Sequence, residues 1–287
     1  DYPTQSAPSK HGDWYYISRN SGLQNQSAIY RKRNLEDSQE EVFLDPNTLS
    51  EDGTVALNTA TFSKDGKLFA YSLASAGSDW VEIFVMDAES KTLLSDHIKW
   101  VKFSGASWAP DNKGFYYSAY DAPKQGDALY SAQNTNQKVY YHRIGTSQSD
   151  DTLIYADPSR PLHYFHGGES EDGRWLFVTG SAGTSGTEIL YKRKGEKRFK
   201  TLFEGFDYDY MILDCYEDTA LILTNNDAPN YRLIAVDLTT RECRDLIPQT
   251  EHPLEEVGTV GNYLFAFYLI DAQNKVLQYD RKGNLIR

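Results

Sequence analysis

The stretch from Phe62 to Asp87, FSKDGKLFAYSLASAGSDWVEIFVMD, decides the fold. Asp65-Gly66 punctuates apolar residues on either side, and glycine tolerates the positive φ that tight hairpin turns require. The runs after it, LFAYSL and WVEIFVMD, have the side-chain period of strands and are rich in aromatic and β-branched residues. A small-residue strand, an acidic turn and an alternating aromatic strand recur in SWAPDNKGFYYSAY (Ser107 to Tyr120) and ESEDGRWLFVTGSAG (Glu169 to Gly183). Weaker copies are SKHGDWYYISRNSG, CYEDTALILTNNDAPN and TVGNYLFAFYLIDAQN. Each copy is followed by a second alternating run, such as KVYYHRIGT or YRLIAVDLTT.

The copies return about every 45–60 residues, a period that signals solenoids or propellers. Each unit reads as four strands, expected in the second unit at Thr59–Ser63, Leu68–Leu73, Val81–Ala88 and Thr92–Asp96. Short strands without a convincing helix predict an all-β chain, a β-propeller of four-stranded antiparallel blades. Six units are legible, the sixth ending at RKGNLIR. Either the protein is six-bladed or the chain stops before its last blade, which would leave edge strands exposed.

Bulk properties bound the function. Across 287 residues, 40% are hydrophobic and 14% aromatic, 21 of them Tyr, enough for a large core. The net charge of −12 has no basic stripe within it, which argues against nucleic acid. No apolar run is long enough to span a membrane. The only cysteines, Cys215 and Cys243, are expected to be buried free thiols, and a reducing, cytoplasmic location is expected. The chain opens DYPTQSAPSK, without an initiator Met, so its first residue is not read as a native start.

Topology sorts the loops. In an up-and-down blade the Asp-Gly turns share one face, and the second-to-third loops share the other with the links between blades. That second face collects RNSGLQNQSA, ASAGSDWV, DAPKQGDALYSAQNTNQK, GSAGTSGT and NNDAPN, with links through Phe103 and His163–Gly168. Its loops are longer and more varied, which marks it as the working surface.

Catalytic signatures are missing from the sequence. No G-x-S-x-G elbow occurs, since GTSGT and SGASW break the spacing. His163 and His166 in HYFH point to opposite faces of a strand, so no metal site is expected there. DPNTLSEDG has its Gly and Glu at the wrong positions for a calcium loop. Asn25-Gln26-Ser27 matches a glycosylation sequon by pattern alone. Dinucleotide and phosphate-binding glycine patterns are absent, so no cofactor is expected.

Long motifs carry a resemblance. NSGLQNQS, VFLDPNTLSEDGTVAL, FSKDGKLFAYSLASAGSDWVEI, YYHRIGTSQSDD and NYRLIAVDL together resemble the propeller domain of the prolyl oligopeptidase family of serine peptidases. The match covers nearly the whole chain in consistent order. The resemblance implies an unclosed seven-bladed propeller, about six blades of it present in residues 1–287, capping an α/β-hydrolase domain of the same polypeptide. It implies short proline-containing peptides as partners, cleaved after proline in the cavity between the domains. The hydrolase domain with its catalytic triad is absent from this sequence, so the chain alone is expected to be inactive.

By matching motifs, Asp79 in GSDW and Phe103 in VKFSGASW correspond to cavity residues: Phe103 an apolar wall, Asp79 a negative charge near the mouth. Trp80 is a weaker substrate candidate. His166 falls where the family has a hydrophobic cavity residue, and Thr184 with Ser181 in SAGTSG where it often has an Arg and a reactive Cys. Structural roles compete with three of them: Asp79 as a turn cap, Trp80 as packing between blades, Phe103 as core. The alternative for the whole chain is a free-standing propeller acting as a protein- or peptide-binding scaffold, since propellers host unrelated functions.

Overall fold

A computed structural model describes residues 2–123 and 134–287. The chain divides into two compact units, residues 1–162 with 166–168, and residues 163–165 with 169–287. Among the described residues the regular structure is antiparallel strand, apart from two 3-10 turns, Pro46–Thr48 and Gln148–Asp150.

The first blade holds β1 (Thr4–Gln5), β2 (Ser9–His11), β3 (Trp14–Asn20), β4 (Ala28–Lys32) and β5 (Glu41–Leu44). The second holds β6 (Val55–Phe62), β7 (Leu68–Ser75), β8 (Trp80–Asp87) and β9 (Leu93–Lys102). The third holds β10 (Ser107–Trp108), β11 (Gly114–Ala119), β12 (Lys138–Arg143) and β13 (Thr152–Tyr155). The fourth holds β14 (Tyr164–Glu169), β15 (Trp175–Ser181), β16 (Glu188–Arg193) and β17 (Lys200–Phe203). The fifth holds β18 (Tyr210–Tyr216), β19 (Thr219–Thr224), β20 (Arg232–Asp237) and β21 (Cys243–Ile247). The sixth has three strands, β22 (Leu254–Val260), β23 (Tyr263–Ile270) and β24 (Gln273–Asp280). After β24 the chain turns back, and Tyr279 bridges Leu285. These antiparallel sheets are the blades that the repeats predict, and they match the unclosed propeller that the resemblance implies.

The opening stretch shows why blades stack. On β7, Phe69 and Tyr71 pack toward Tyr16, Phe43 and Leu44 of the first blade. Ala70, between them, faces the opposite way, into a core with Trp108, Phe115 and Tyr117 of the third blade. β8 does the same: Val81, Ile83 and Val85 join the third-blade core, while Met86 joins the first-blade core. Strand period 2 thus buries both faces of one sheet, each buried side chain contributing about 1.5–3 kcal/mol of transfer free energy. In the second unit, Trp175, Phe177 and Ile189 pack against Ile222 and Ile234, and the other face of the fifth blade packs Leu221 and Leu233 against Leu254, Leu264 and Tyr268.

Three expectations need correction. The inner strand of the second blade starts earlier, at Val55, and its outer strand runs on to Lys102 rather than ending at Asp96. That extension hydrogen-bonds to the third blade, Val101 opposite Ala119, which fuses the two blades into one eight-stranded sheet. Of the two free cysteines, Cys215 is buried but Cys243 is exposed, because it begins the outer strand of its blade.

Candidate functional site

In the first unit, the turn 76–79 between β7 and β8 and the link 103–106 between β9 and β10 both lie at the loop-rich ends of their strands. Ala76 and Gly77 both adopt positive φ. Ser78 Oγ then accepts the backbone N–H of Trp80 at 3.0 Å, so the turn is capped by Ser78 rather than by Asp79. The Asp79 carboxylate is left two-thirds exposed and lies 3.4 Å from Lys102 Nζ.

Lys102 reaches it because β9 is bulged. The register along β8 and β9 steps from Val81↔Val101 to Ile83↔Ile98, which puts one extra residue on β9. Trp100, inside the bulge, holds φ +61°. The Gln148 side chain clamps the bulge: Lys99 N–H donates to Oε1 and Nε2 donates to Lys99 C=O, both at 2.9 Å. The shifted register sets Lys102 directly opposite Trp80, with Nζ 5.4 Å from the centre of its ring system. Trp100 and Tyr120 meet Trp80 edge-on at 6.0 and 5.9 Å. Trp80 therefore packs across the second and third blades, the structural role weighed for it.

Phe103 follows, also in the left-handed region at φ +55°, and half exposed. Gln137 Nε2 donates to Lys102 C=O at 2.9 Å and fixes the peptide that aims it. A bulky aromatic held at positive φ costs about 1–3 kcal/mol and persists where the surroundings impose it, a pattern that clusters at ligand sites. Lys102 Nζ lies 5.2 Å from the Phe103 ring centroid, within cation–π range. Asp79, Trp80 and Phe103 are thus brought together, with Lys102 at their centre.

His166, on β14, is exposed and lines a cavity of about 280 Å³ with Thr59, Thr61, Ser104, Ser107 and Ser118. Desolvation lowers its pKa, so the imidazole is neutral at pH 7 and the wall is polar but uncharged there. Hydroxyls dominate: Ser104 Oγ accepts Ser118 N–H at 2.9 Å. Thr184 lies in the second unit, exposed in the turn between β15 and β16. Most of the expected loop between β11 and β12 falls outside the described residues.

Lys102, Trp100 and Tyr120 were missed at the level of sequence. Their proximity depends on a one-residue bulge, and alternation alone assigns Lys102 to a solvated strand end. Among the described residues, no group of three or more His, Cys, Asp or Glu side chains is placed to hold a metal ion. No helix there is long and apolar enough to cross a membrane. A His–Asp arrangement exists at His142, Asp151 and Asp96, but all three side chains are buried, out of reach of a substrate.

The family model described as "Prolyl oligopeptidase, N-terminal beta-propeller domain" matches residues 1–287. The prolyl endopeptidase of Elizabethkingia meningoseptica is 42% identical over the whole of this chain and 41% of its own length. That of Elizabethkingia miricola is 40% identical with the same coverage. A solved structure of prolyl oligopeptidase B from Galerina marginata, bound to a 35-residue hydrolysis and macrocyclization substrate, superposes with a TM-score of 0.91 at 30% identity. That match covers 100% of this chain and 44% of the other. The chain spans about two fifths of the length of the curated relatives it matches. With the repeats, the blades and a family model matched along its full length, this chain belongs to the prolyl oligopeptidase family of serine peptidases and is its N-terminal β-propeller domain.

Proposed function

We propose that this chain is the substrate-filtering domain of a proline-specific serine endopeptidase, capping an α/β-hydrolase domain in the same polypeptide and admitting short peptides for cleavage after proline. One observation carries the reading: a half-exposed Phe103 held in the left-handed region at the loop-rich end of the second blade, with Asp79 and Trp80 beside it. A rigid aromatic on a strained link is an inexpensive anchor for a peptide side chain, because little of its freedom is lost on binding. The filtering role is exclusion, since a lid of packed blades shelters the reacting bond from water and from bulky folded chains. His166 and Thr184 are proposed as secondary peptide contacts, both exposed and uncharged at pH 7.

The test uses the full-length protein that contains this chain. Short peptides carrying Pro or Ala at one position are assayed for both hydrolysis and end-to-end joining, since some relatives are named macrocyclase-peptidases. Cleavage after Pro but not after Ala is expected. Phe103→Ala should raise KM by about five- to tenfold with kcat nearly unchanged, the pattern of lost uniform binding. Indifference to proline, or an unchanged KM in the variant, defeats the proposal.

A further inference from the structure

Lys102 is a cation in an unusual place. Its side chain is 13% exposed, and its ammonium contacts Asp79, Trp80 and Phe103 together. The bulge at Trp100 and the Gln137 hydrogen bond fix the backbone from which it projects. Two consequences follow. The negative charge of Asp79 is compensated, so the turn carries no net charge of its own. A ligand side chain packed on Phe103 also meets a fixed positive charge at that ring.

We infer that Lys102 is a specificity-determining residue, a charge filter that makes the Phe103 wall select an uncharged peptide side chain over a cationic one. The inference rests on the proposed peptide-binding role of Phe103. A lysine or arginine of the peptide is repelled by the Lys102 ammonium, whose side chain is largely covered and therefore less screened than a fully solvated one. It also finds the quadrupole of Phe103 already engaged by Lys102. An aliphatic residue meets neither penalty. Removing the ammonium reverses the filter, because Asp79 is then uncompensated and the aromatic faces accept a ligand cation instead.

The experiment measures kcat/KM of the full-length protein on short proline peptides with Lys or Ala placed in turn at each of the three residues before proline. The proteins compared are the parent, Lys102→Met, Lys102→Gln, Lys102→Arg and Phe103→Ala. In the parent, Ala is expected to be preferred to Lys at one of the three positions. At that position Lys102→Met should raise the Lys-to-Ala ratio by about tenfold, a difference of one charge contact. Lys102→Arg, which keeps the charge, should retain the parental ratio. If the Met variant does not fold, judged by near-ultraviolet circular dichroism, the Gln variant supplies the same readout. A ratio within twofold of the parent in both neutral variants, with KM still raised by Phe103→Ala, overturns the filter and leaves the peptide-binding role standing. If Phe103→Ala moves no KM, that role fails and the filter falls with it.

Discussion

His142 Nδ1 lies 2.7 Å from Asp151 Oδ1, with neither side chain reached by solvent. Its other nitrogen, Nε2, lies 2.8 Å from Asp96 Oδ1 on the neighbouring blade. Asp96 Oδ1 also accepts the Gly145 N–H at 2.6 Å, and Asp151 Oδ2 accepts the Tyr117 hydroxyl at 2.6 Å. With both carboxylates as acceptors, both ring nitrogens are placed to donate, so the site favours the imidazolium form of the ring. Burial alone would push the His142 pKa down. The hydrogen bonds and charges of Asp151 and Asp96 together outweigh that and hold it above the ordinary histidine value. The triad ties β12 of the third blade to β9 of the second.

Truncating His142 leaves two buried carboxylates without their cation. His142→Ala should therefore lower unfolding free energy by about 3–5 kcal/mol, read from urea midpoints. A loss below 1 kcal/mol would mean that water or a rearranged side chain replaces the imidazolium.

The same group gives an alkaline pH dependence. A raised pKa means that the stabilisation is complete below the unfolded-state value of about 6.5 and is lost as pH rises through the folded-state value. Tyr117, which faces the triad, has its pKa raised by burial and by Asp151, so it stays neutral over that window. The stability gap between the parent and His142→Ala should be largest at about pH 6 and shrink as the solution is made alkaline. A gap that does not change with pH would show that the ring never carries the second proton.

A second buried cation locks the first blade to the second. Arg31 is 3% exposed and packs 4.0 Å from the Trp14 ring system. Its Nε donates to Glu41 at 2.6 Å, its Nη2 to Glu89 C=O at 3.0 Å, and its Nη1 to Ala88 C=O. Arg33 lies on the same Trp14 at 3.8 Å, but it is exposed and pairs with the exposed Glu89. Lysine cannot reproduce a planar fork shared among three acceptors. Arg31→Lys should cost about 2–4 kcal/mol, and Arg33→Lys less than about 1 kcal/mol, in thermal or urea unfolding. Equal losses would assign the energy to the ring contacts alone.

What was legible in the sequence was whatever is local. Alternation in LFAYSL and WVEIFVMD reveals two buried faces, and the repeats give the number of blades. The proximity of Asp79, Trp80 and Phe103 was legible because they sit in long motifs at loop ends that strand topology sorts to one side. Lys102 was not, because its role depends on a bulge whose clamp, Gln148, lies 49 residues from Lys99. Asp96 was hidden for the same reason: it reads as the end of an outer strand, and only tertiary packing sets it against His142. Cys243 was misjudged because a cysteine within an alternating run reads as core, whereas an outer strand leaves alternate residues in solvent.

Asp65-Gly66 has a role beyond its hairpin. Gly66 holds φ +70°, and a Cβ there would lie 2.2 Å from Gly12 N and 2.6 Å from His11 C in the turn of the first blade. Gly77 has the same φ with nothing within 4 Å of a Cβ. Gly77→Ala should cost only the backbone penalty, about 1–2 kcal/mol. Gly66→Ala adds a backbone clash and should cost more, about 3–5 kcal/mol, or prevent folding. Comparable urea midpoints for the two variants would show that the first-blade turn yields freely.

The two thiols should separate cleanly by reactivity. Burial, helped by Asp172, Asp214 and Asp218, pushes the Cys215 thiol up to about 12, and its side chain sits in the core against Ala220 and Ile222. Cys243 is exposed, with its pKa raised only in part by desolvation and opposed by Arg232 and Arg241. Reactivity follows thiolate fraction and access, so iodoacetamide at mildly alkaline pH should add one label to the native chain, at Cys243. The second label should appear only in denaturant, with the rate of global unfolding. Since Cys243 lies on an outer strand and the SAGTSG turn holds no thiol, the native label should leave peptide binding at Phe103 unchanged. Two native labels would show that the core between the fourth and fifth blades opens locally, and loss of binding on single labelling would place Cys243 in contact with the working face.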